Sequence, residues 1–204
     1  MKIILGAILV AVALGYGLGG YLDNILTGGI RWGILAFVGL FLQVLPVPMA
    51  GVDLPLVLLF VSFAVLLAFG IRNIRVAGFA LILVGLSLNL LVIAVNHGMP
   101  VPRHALVASG QQDTLRMLIQ DGGAKHHLAG SGDMLLPLAD VIAIGPPIRQ
   151  ALSVGDVLSY LGVMWFIVAA MRGRTSVASA YRGRHRRRFG TGRLVPIPSG
   201  WTTA

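Results

Sequence analysis

The sequence predicts an all-α membrane protein, and three observations support that fold class. Hydrophobic residues make up 56% of the 204 residues and charged residues only 11%, while the mean hydropathy is +0.86. A spanning helix needs about 20 mainly apolar residues to cross roughly 30 Å of hydrocarbon. Apolar stretches of about this length occur at residues 3–22, 32–47, 54–71, 76–95 and 154–171. A soluble domain is far more polar, so we expect five transmembrane helices.

The first two stretches have features that the other three lack. The second contains Gln43 and is ended by Pro46 and Pro48. In the first, Lys2 and the apolar run after it also fit a short secretory signal with a cleavage site following Ala13, which would leave four spans. The glycines beyond that point favour a retained span whose small residues pack closely against another helix: Gly15, Gly17, Gly19 and Gly20.

The distribution of basic residues predicts the orientation, because short cytoplasmic loops hold an excess of Lys and Arg. Placing the C-terminus inside puts eleven of the 16 basic residues on the cytoplasmic side and leaves five outside. Eight of these eleven follow the last span, from Arg172 onward, with no acidic residue among them. We therefore expect a multi-pass protein of the bacterial plasma (inner) membrane, N-out and C-in, with a cytoplasmic tail.

This topology divides the chain into four parts: a four-helix region (1–95), an extracytoplasmic loop or cap (96–153), a fifth helix (154–171) and a basic tail (172–204). Leu115, Leu118 and Ile119 recur at helical spacing in the cap, which predicts a surface helix near 112–121. We expect segment 134–148 to dip toward the membrane interface and to be stopped by Pro146-Pro147. A loop of this length in a compact protein is usually functional or disordered, and its apolar content argues against disorder.

Several segments resemble a family of small bacterial integral-membrane proteins of unknown function. These are GGYLDN at 19–24 with Gln43 after it, NLLVIAVNHGMPV at 89–101, LADVI at 138–142 and SVGDV at 153–157. The resemblance extends over most of the chain to about Met171, and the Arg-rich tail lies outside it. It implies the fold of such a family and no particular reaction.

Polar residues in or near the spans are candidates for lining a ligand site: Gln43, Asn89, Asn96, His97, Asp140 and Asp156. Asn89 and Asn96 share one face of the fourth span with Gly85, because spacings of four and seven residues return to the same side of a helix. Asn89 needs a hydrogen-bond partner in hydrocarbon, and Gln43 is the partner we expect. The alternative is a purely structural role for this stripe, as hydrogen bonding between helices.

Asp140 and Asp156 lie in apolar surroundings, where an unpaired carboxylate is costly. Asp156, like Ser153, can cap the start of the fifth span by accepting hydrogen bonds from exposed amides. Arg103 or Arg149 can pair with Asp140. A role in proton or cation binding is the alternative for both carboxylates.

Other chemistry is weakly indicated. His126, His127 and Asp133 are weak candidates for metal ligands, without the spacing of a known site. The chain has no Cys, which excludes Cys-ligated metals and iron–sulfur clusters, and no His lies inside a span, so a bis-His haem between helices is not expected. A Ser131, His127 and Asp133 triad lacks the strand context of a nucleophile elbow.

The tail and the overall composition suggest what the protein does. Five arginines follow the last span in the sequence at a short distance, where they can contact anionic lipids or an acidic partner protein. They are Arg182, Arg184, Arg186, Arg187 and Arg188. Base-stacking aromatics are sparse there, so nucleic acid is not expected. The first hypothesis is a non-enzymatic accessory or assembly subunit of a larger membrane complex. The alternatives are a small carrier or binding protein for a lipid or polar solute and, with less support, a metal-dependent membrane enzyme.

Overall fold

The computed structural model describes residues 2–26, 29–45, 54–120, 122–123 and 125–175. Within these ranges the chain is mostly helical. The helices are α1 (Lys2–Gly17), α2 (Asp23–Leu26), α3 (Gly33–Val44), α4 (Leu54–Arg72), α5 (Phe79–Asn96), α6 (Arg103–Ala108), α7 (Gln112–Gln120) and α8 (Val154–Met171). The strands are β1 (Met99–Val101), β2 (His126–Leu128), β3 (Ile142–Ile144) and β4 (Gln150–Leu152).

Five apolar helices, α1, α3, α4, α5 and α8, form a bundle. Helix α5 packs antiparallel to α8, with Gly85 against Gly155 and Gly78 against Gly162. Helix α4 packs on α5, and α3 packs on α4, where the Ser62 hydroxyl donates to the Gly39 carbonyl at 2.8 Å. Helix α1 lies along the other side of α8 and runs parallel to it.

The helix directions give the bundle two different ends. Basic residues lie at or next to the helix ends on one side of the bundle, and we call this side the arginine-rich end. These residues are Arg31, Arg72, Arg75, Arg172 and Arg174. The opposite side is the cap end, because the described residues between 97 and 153 fold over it as the cap. The predicted cap between the fourth and fifth apolar helices is therefore a folded unit on one side of the bundle.

Small residues allow the helices to approach closely. A Cβ atom at Gly85 would overlap the carbonyl oxygen of Gly155, and one at Gly162 would lie 2.7 Å from the carbonyl oxygen of Gly78. Gly15 of α1 and Gly20 after it lie directly against Met171, as the sequence predicts for this glycine-rich segment. Gly17 and Gly19 have no neighbour of this kind within 4 Å, so the prediction was wrong for them.

The cap contains the strands that the sequence analysis did not predict. Strands β1 and β2 pair in parallel, and β3 and β4 pair in antiparallel. Their side chains and those of α6 and α7 enclose a small apolar core: Val101, Leu106, Leu115 and Leu118. Helix α7 confirms the predicted surface helix. Each strand has only three residues, which is too short to show the alternation that identifies a strand.

The helices confirm a mostly helical chain with apolar segments long enough to cross a membrane. Helices α4, α5 and α8, with 19, 18 and 18 residues, meet the length and hydropathy of a span, while α1 and α3 are shorter apolar helices. The end of the predicted second span, at Pro46 and Val47, lies outside the described residues, as do tail residues 176–204 with their five arginines at 182, 184, 186, 187 and 188.

Candidate functional site

The start of α8 is tied to α5 by three polar side chains. Ser153 caps the helix by accepting from the Asp156 amide at 2.9 Å, and the Asp156 carboxylate accepts from the Ser153 amide at 3.3 Å. Asn89 of α5 completes the arrangement: its amide donates to Asp156 Oδ1 at 2.8 Å, and its Oδ1 accepts from the Ser153 hydroxyl at 2.7 Å. The predicted capping by Ser153 and Asp156 is confirmed as a capping box.

The predicted partner of Asn89 was wrong. Asn89 bonds with Asp156 and Ser153, while the backbone carbonyl of Gln43 in α3 accepts from the Lys125 ammonium. The cause is that Gly85 and Gly155 bring α5 and α8 into backbone contact, so the amide one turn further along α5 reaches the N-terminus of α8 before it can reach α3.

A polar pocket of about 290 Å³ lies where the cap meets this end of the bundle. Asp140 from the cap and Asp156 from α8 both line it, together with Lys125, His126 and Gln150. Apolar residues of the cap core form the remaining wall, among them Val101, Leu106 and Leu118. Ligand sites typically combine an apolar wall with a few convergent polar groups, as this pocket does.

Asp140 is the most perturbed carboxyl group at this pocket. Only 7% of the residue is exposed. Burial, and after it the nearby negative charge of Asp156, raises the pKa of Asp140 from 3.8 to about 8. The titratable side chain beside it is His126, whose Nε2 lies 3.7 Å from Asp140 Oδ2 and whose pKa is lowered by burial; the predicted partners Arg103 and Arg149 do not pair with it. At neutral pH Asp140 is therefore largely protonated.

The two histidines of β2 point to different carboxylates, because successive side chains of a strand lie on opposite faces. His126 faces Asp140, while His127 Nε2 lies 2.9 Å from Asp133 Oδ1. Burial acts to raise the pKa of Asp133, but hydrogen bonds from the Gly130 amide and His127 outweigh it and hold that pKa below its usual value. Among the residues that the structure describes, no three His or Asp side chains converge as metal ligands.

The remaining predicted site residues lie outside the pocket lining. The Asn96 side chain joins α5 to the cap, donating to the Met134 carbonyl at 2.9 Å and accepting from the Met134 amide at 2.7 Å. His97 ends α5 with a positive φ of 55° and is exposed. Asn89 does not line the pocket itself, but its side chain on α5 donates a hydrogen bond to Asp156, which does.

Of the six predicted ligand residues, the structure brings only Asp140 and Asp156 to one pocket. The sequence does not indicate Lys125 or Gln150 at a site, and it suggests His126 only as a metal ligand. No local pattern indicates these residues, because the lining is contributed by β1, α6, α7, β2, β4, α8 and the loops around them. Their position depends on how the cap folds back on the bundle.

Comparison with known proteins places the chain in a family. The model of a family of unknown function, DUF5317, matches residues 29–168. The chain belongs to this family. A relative described as an uncharacterized protein of Thermotoga maritima is 32% identical over 157 residues, which cover 74% of this chain and 88% of the relative. No solved structure matches the chain. The family match contains α3 to α7, the cap and most of α8, and so includes the whole polar pocket.

Proposed function

We propose that this protein is a membrane protein that binds a small polar solute in the pocket between cap and bundle. The observation that carries the proposal is the convergence of two carboxylates from distant parts of the chain, Asp140 and Asp156, in one pocket of about 290 Å³. A buried carboxyl group with a pKa of about 8 is costly to maintain, and perturbed carboxyl groups in a pocket are typical of binding and catalytic sites.

The pair of carboxyl groups suits a cationic solute such as an organic amine, since the Lys125 ammonium of the same lining is engaged by the Gln43 carbonyl. An ammonium group placed between the two carboxylates would stabilise the ionised form of Asp140 and relieve its repulsion with Asp156. Binding would then release the proton that Asp140 carries at neutral pH. The apolar wall formed by Leu106 and Leu118 suits the carbon atoms of such a ligand.

A calorimetric titration tests this function directly. Ethylamine, putrescine and choline serve as cationic probes, and acetate and succinate as anionic probes of similar size. We expect a cationic probe to bind, with an affinity that rises about tenfold for each pH unit as the pH approaches 8, because the ionised form of Asp140 becomes more abundant.

The matched variants are Asp140→Asn and Asp113→Asn. Both remove one carboxylate, but Asp113 lies on the exposed surface of α7, where the Asp113 side chain is 97% exposed. We expect Asp140→Asn to abolish both the binding and its pH dependence, and Asp113→Asn to retain them. Equal affinity of Asp140→Asn and the unmodified protein, or preference for the anionic probes, would contradict the proposal.

We also propose the finer topology: α1, α3, α4, α5 and α8 each cross the plasma membrane, with the cap outside and the arginine-rich end in the cytoplasm. The alternating direction of α3, α4, α5 and α8 and the basic residues at one end of the bundle support this arrangement. In it the polar pocket opens near the outer membrane surface, where a solute from outside the cell would arrive.

The second candidate function is an accessory subunit of a larger membrane complex, and α3 favours it. This helix has twelve described residues, about 18 Å at 1.5 Å per residue, and its exposed Ile34, Phe37 and Phe41 lie on one face. A short apolar helix is accommodated in a thicker bilayer by thinning of the lipid or by association with another helix.

Co-purification tests this function. A partner membrane protein that co-purifies stably with the unmodified protein, but not with Phe37→Ser, would support it. A monodisperse monomer that binds ligand alone would contradict it.

A further inference from the structure

A second cavity, of about 670 Å³, lies at the arginine-rich end, on the opposite side of the bundle from the polar pocket. Its basic lining comes from three arginines. Arg31 precedes α3, Arg72 is the last residue of α4, and Arg75 follows α4. Ile71 and Ile74 contribute apolar lining, and Thr175 after α8 closes one side. The cavity thus combines three arginines with exposed isoleucines.

The backbone around this cavity is held in place by a buried side chain. Asn73 is only 2% exposed. Its amide donates to the carbonyls of Arg31 and Phe69, both at 2.8 Å, and its Oδ1 accepts from the Arg31 amide at 2.9 Å. On the far side, the Ala77 amide donates to the Thr175 carbonyl at 2.9 Å. The segments that carry the arginines are therefore joined to one another before any ligand binds.

The positive charge of the cavity is not neutralised by acidic side chains of the described part of the chain. The ion pairs among the described residues involve Arg116, His126 and His127, which all lie in the cap. No Asp lines the cavity. The Arg72 guanidinium instead lies 5.5 Å from the ring centre of Trp32. An arginine cluster of this kind, without a carboxylate, is suited to bind a phosphate group through several charge-assisted hydrogen bonds.

We propose that this cavity binds the headgroup phosphate of an anionic phospholipid. Its position at the ends of α3, α4, α5 and α8 is the depth of the lipid headgroups, and Trp32, which is 57% exposed beside it, is the residue type enriched at that depth. Ile71 and Ile74 are 63% and 50% exposed and offer apolar surface to the first carbon atoms of the acyl chains. A free phosphate ion would leave this apolar surface unused.

The protein's own tail is not a suitable occupant of this cavity. Residues 176–204 contain six arginines and no Asp or Glu, so like charges would oppose its entry. The lipid site also differs from lipid binding by the tail. The site depends on arginines at defined positions, whereas attraction of the tail to lipid depends on the density of basic residues.

Native mass spectrometry of the full-length protein in detergent tests the site, with phosphatidylglycerol and phosphatidylcholine as probes. We expect one tightly bound phosphatidylglycerol. The triple variant R31Q/R72Q/R75Q should bind it roughly 100-fold more weakly, given about 1 kcal/mol for each basic residue near an anionic lipid surface. Phosphatidylcholine, whose choline cation opposes the arginines, should bind more weakly from the outset and lose less affinity in the variant.

Two control variants separate this site from general charge. R103Q/R116Q/R149Q removes the same number of arginines from the cap, and R182Q/R184Q/R186Q/R187Q/R188Q neutralises the tail. Both should keep the tightly bound phosphatidylglycerol. If the triple variant at the cavity does not fold, R75Q alone should weaken binding about fivefold, since Arg75 is exposed.

Three results would overturn the proposal. Unchanged phosphatidylglycerol binding by both R31Q/R72Q/R75Q and R75Q would exclude these arginines. An equal loss of phosphatidylglycerol affinity in the cap variant would show that lipid binding depends on net charge and not on this cavity. Equal affinity for inorganic phosphate and for phosphatidylglycerol would show that a free phosphate compound, and not a lipid, is the ligand.

Discussion

At Asp140, burial and a neighbouring negative charge act in the same direction, and both favour the protonated form. Asp156 is in a different position, because it accepts hydrogen bonds from the Asn89 side chain and the Ser153 amide. The two carboxyl groups line one pocket but differ in their hydrogen-bond partners. Asp156 caps α8 and supports the fold, whereas Asp140 has no comparable set of donors among the described contacts.

We expect Asp140→Asn to stabilise the protein and to change how stability depends on pH. The pKa of Asp140 is about 8 in the folded protein against an ordinary value of 3.8. The folded state therefore holds a proton that the unfolded state loses, and stability decreases as pH rises from about 4 to about 8. Asparagine removes this loss, which should raise the free energy of unfolding at pH 7 by about 1–3 kcal/mol.

Thermal unfolding in detergent, followed by circular dichroism from pH 4 to pH 9, measures this effect. The difference between the variant and the unmodified protein isolates Asp140 from Asp156, His126 and Lys125, which also face the pocket and are present in both. Asp113→Asn serves as the exposed control and should follow the unmodified protein. A melting temperature of Asp140→Asn that is lower at pH 7 would contradict the assignment of a raised pKa.

Residues with local roles were predictable from the sequence, and those with distant partners were not. Ser153 and Asp156 cap α8 through atoms within three residues of each other, so their spacing alone indicates the motif. Asn89 needed a partner in any helical membrane protein, but which partner depends on the packing of α5. Nothing in the sequence near Lys125 or Gln150 indicates that they line a pocket with Asp156.

At the scale of elements, the contact between α5 and α8 positions the site. Glycines at 78, 85, 155 and 162 leave no side chain between the two backbones. This close approach brings Asn89 to the first turn of α8 and thereby holds Asp156 beside the pocket. Close packing of small residues is the main source of helix association in lipid, where apolar surface is not driven together by water.

Gly85→Ala should disrupt this contact. The added methyl group would overlap the carbonyl oxygen of Gly155 and the hydroxyl of Ser159, and overpacking of this kind costs about 1–3 kcal/mol. We expect a melting temperature several degrees lower and weaker ligand binding, because Asn89 shifts away from Asp156. Gly6→Ala is the matched control, since a methyl group at Gly6 of α1 has no neighbour within 4 Å. Equal melting temperatures for the two variants would show that α5 and α8 are not in backbone contact.

The apolar helices were predictable as elements because length and hydropathy identify them. The helices found at α4, α5 and α8 start and end within three residues of the predicted spans. The short strands of the cap were not predictable, because their pairing joins segments such as β1 and β2 that are separated by α6 and α7. Strand pairing in the cap therefore follows from tertiary contacts and not from local sequence preference.

At the scale of the whole molecule, the two ends of the bundle differ in chemistry. The cap end carries the polar pocket with its two carboxylates, and the other end carries an arginine cluster beside Trp32. The positive-inside rule associates the second end with the cytoplasm. In the proposed topology, the polar pocket faces the outside of the cell and the arginine-rich cavity faces the inner leaflet.

Single-cysteine variants can determine this orientation without background labelling, because the natural chain has no Cys. Ser131→Cys lies on the exposed surface of the cap, and Arg174→Cys is exposed at the other end. In intact cells, a membrane-impermeant maleimide should label Ser131→Cys and leave Arg174→Cys unmodified until the membrane is permeabilised. Lys2→Cys, at the start of α1, should behave like Ser131→Cys if all five helices cross the membrane. Labelling of Arg174→Cys from outside would invert the proposed topology, and loss of the Lys2→Cys label from the mature protein would favour cleavage of the first segment, leaving four spans.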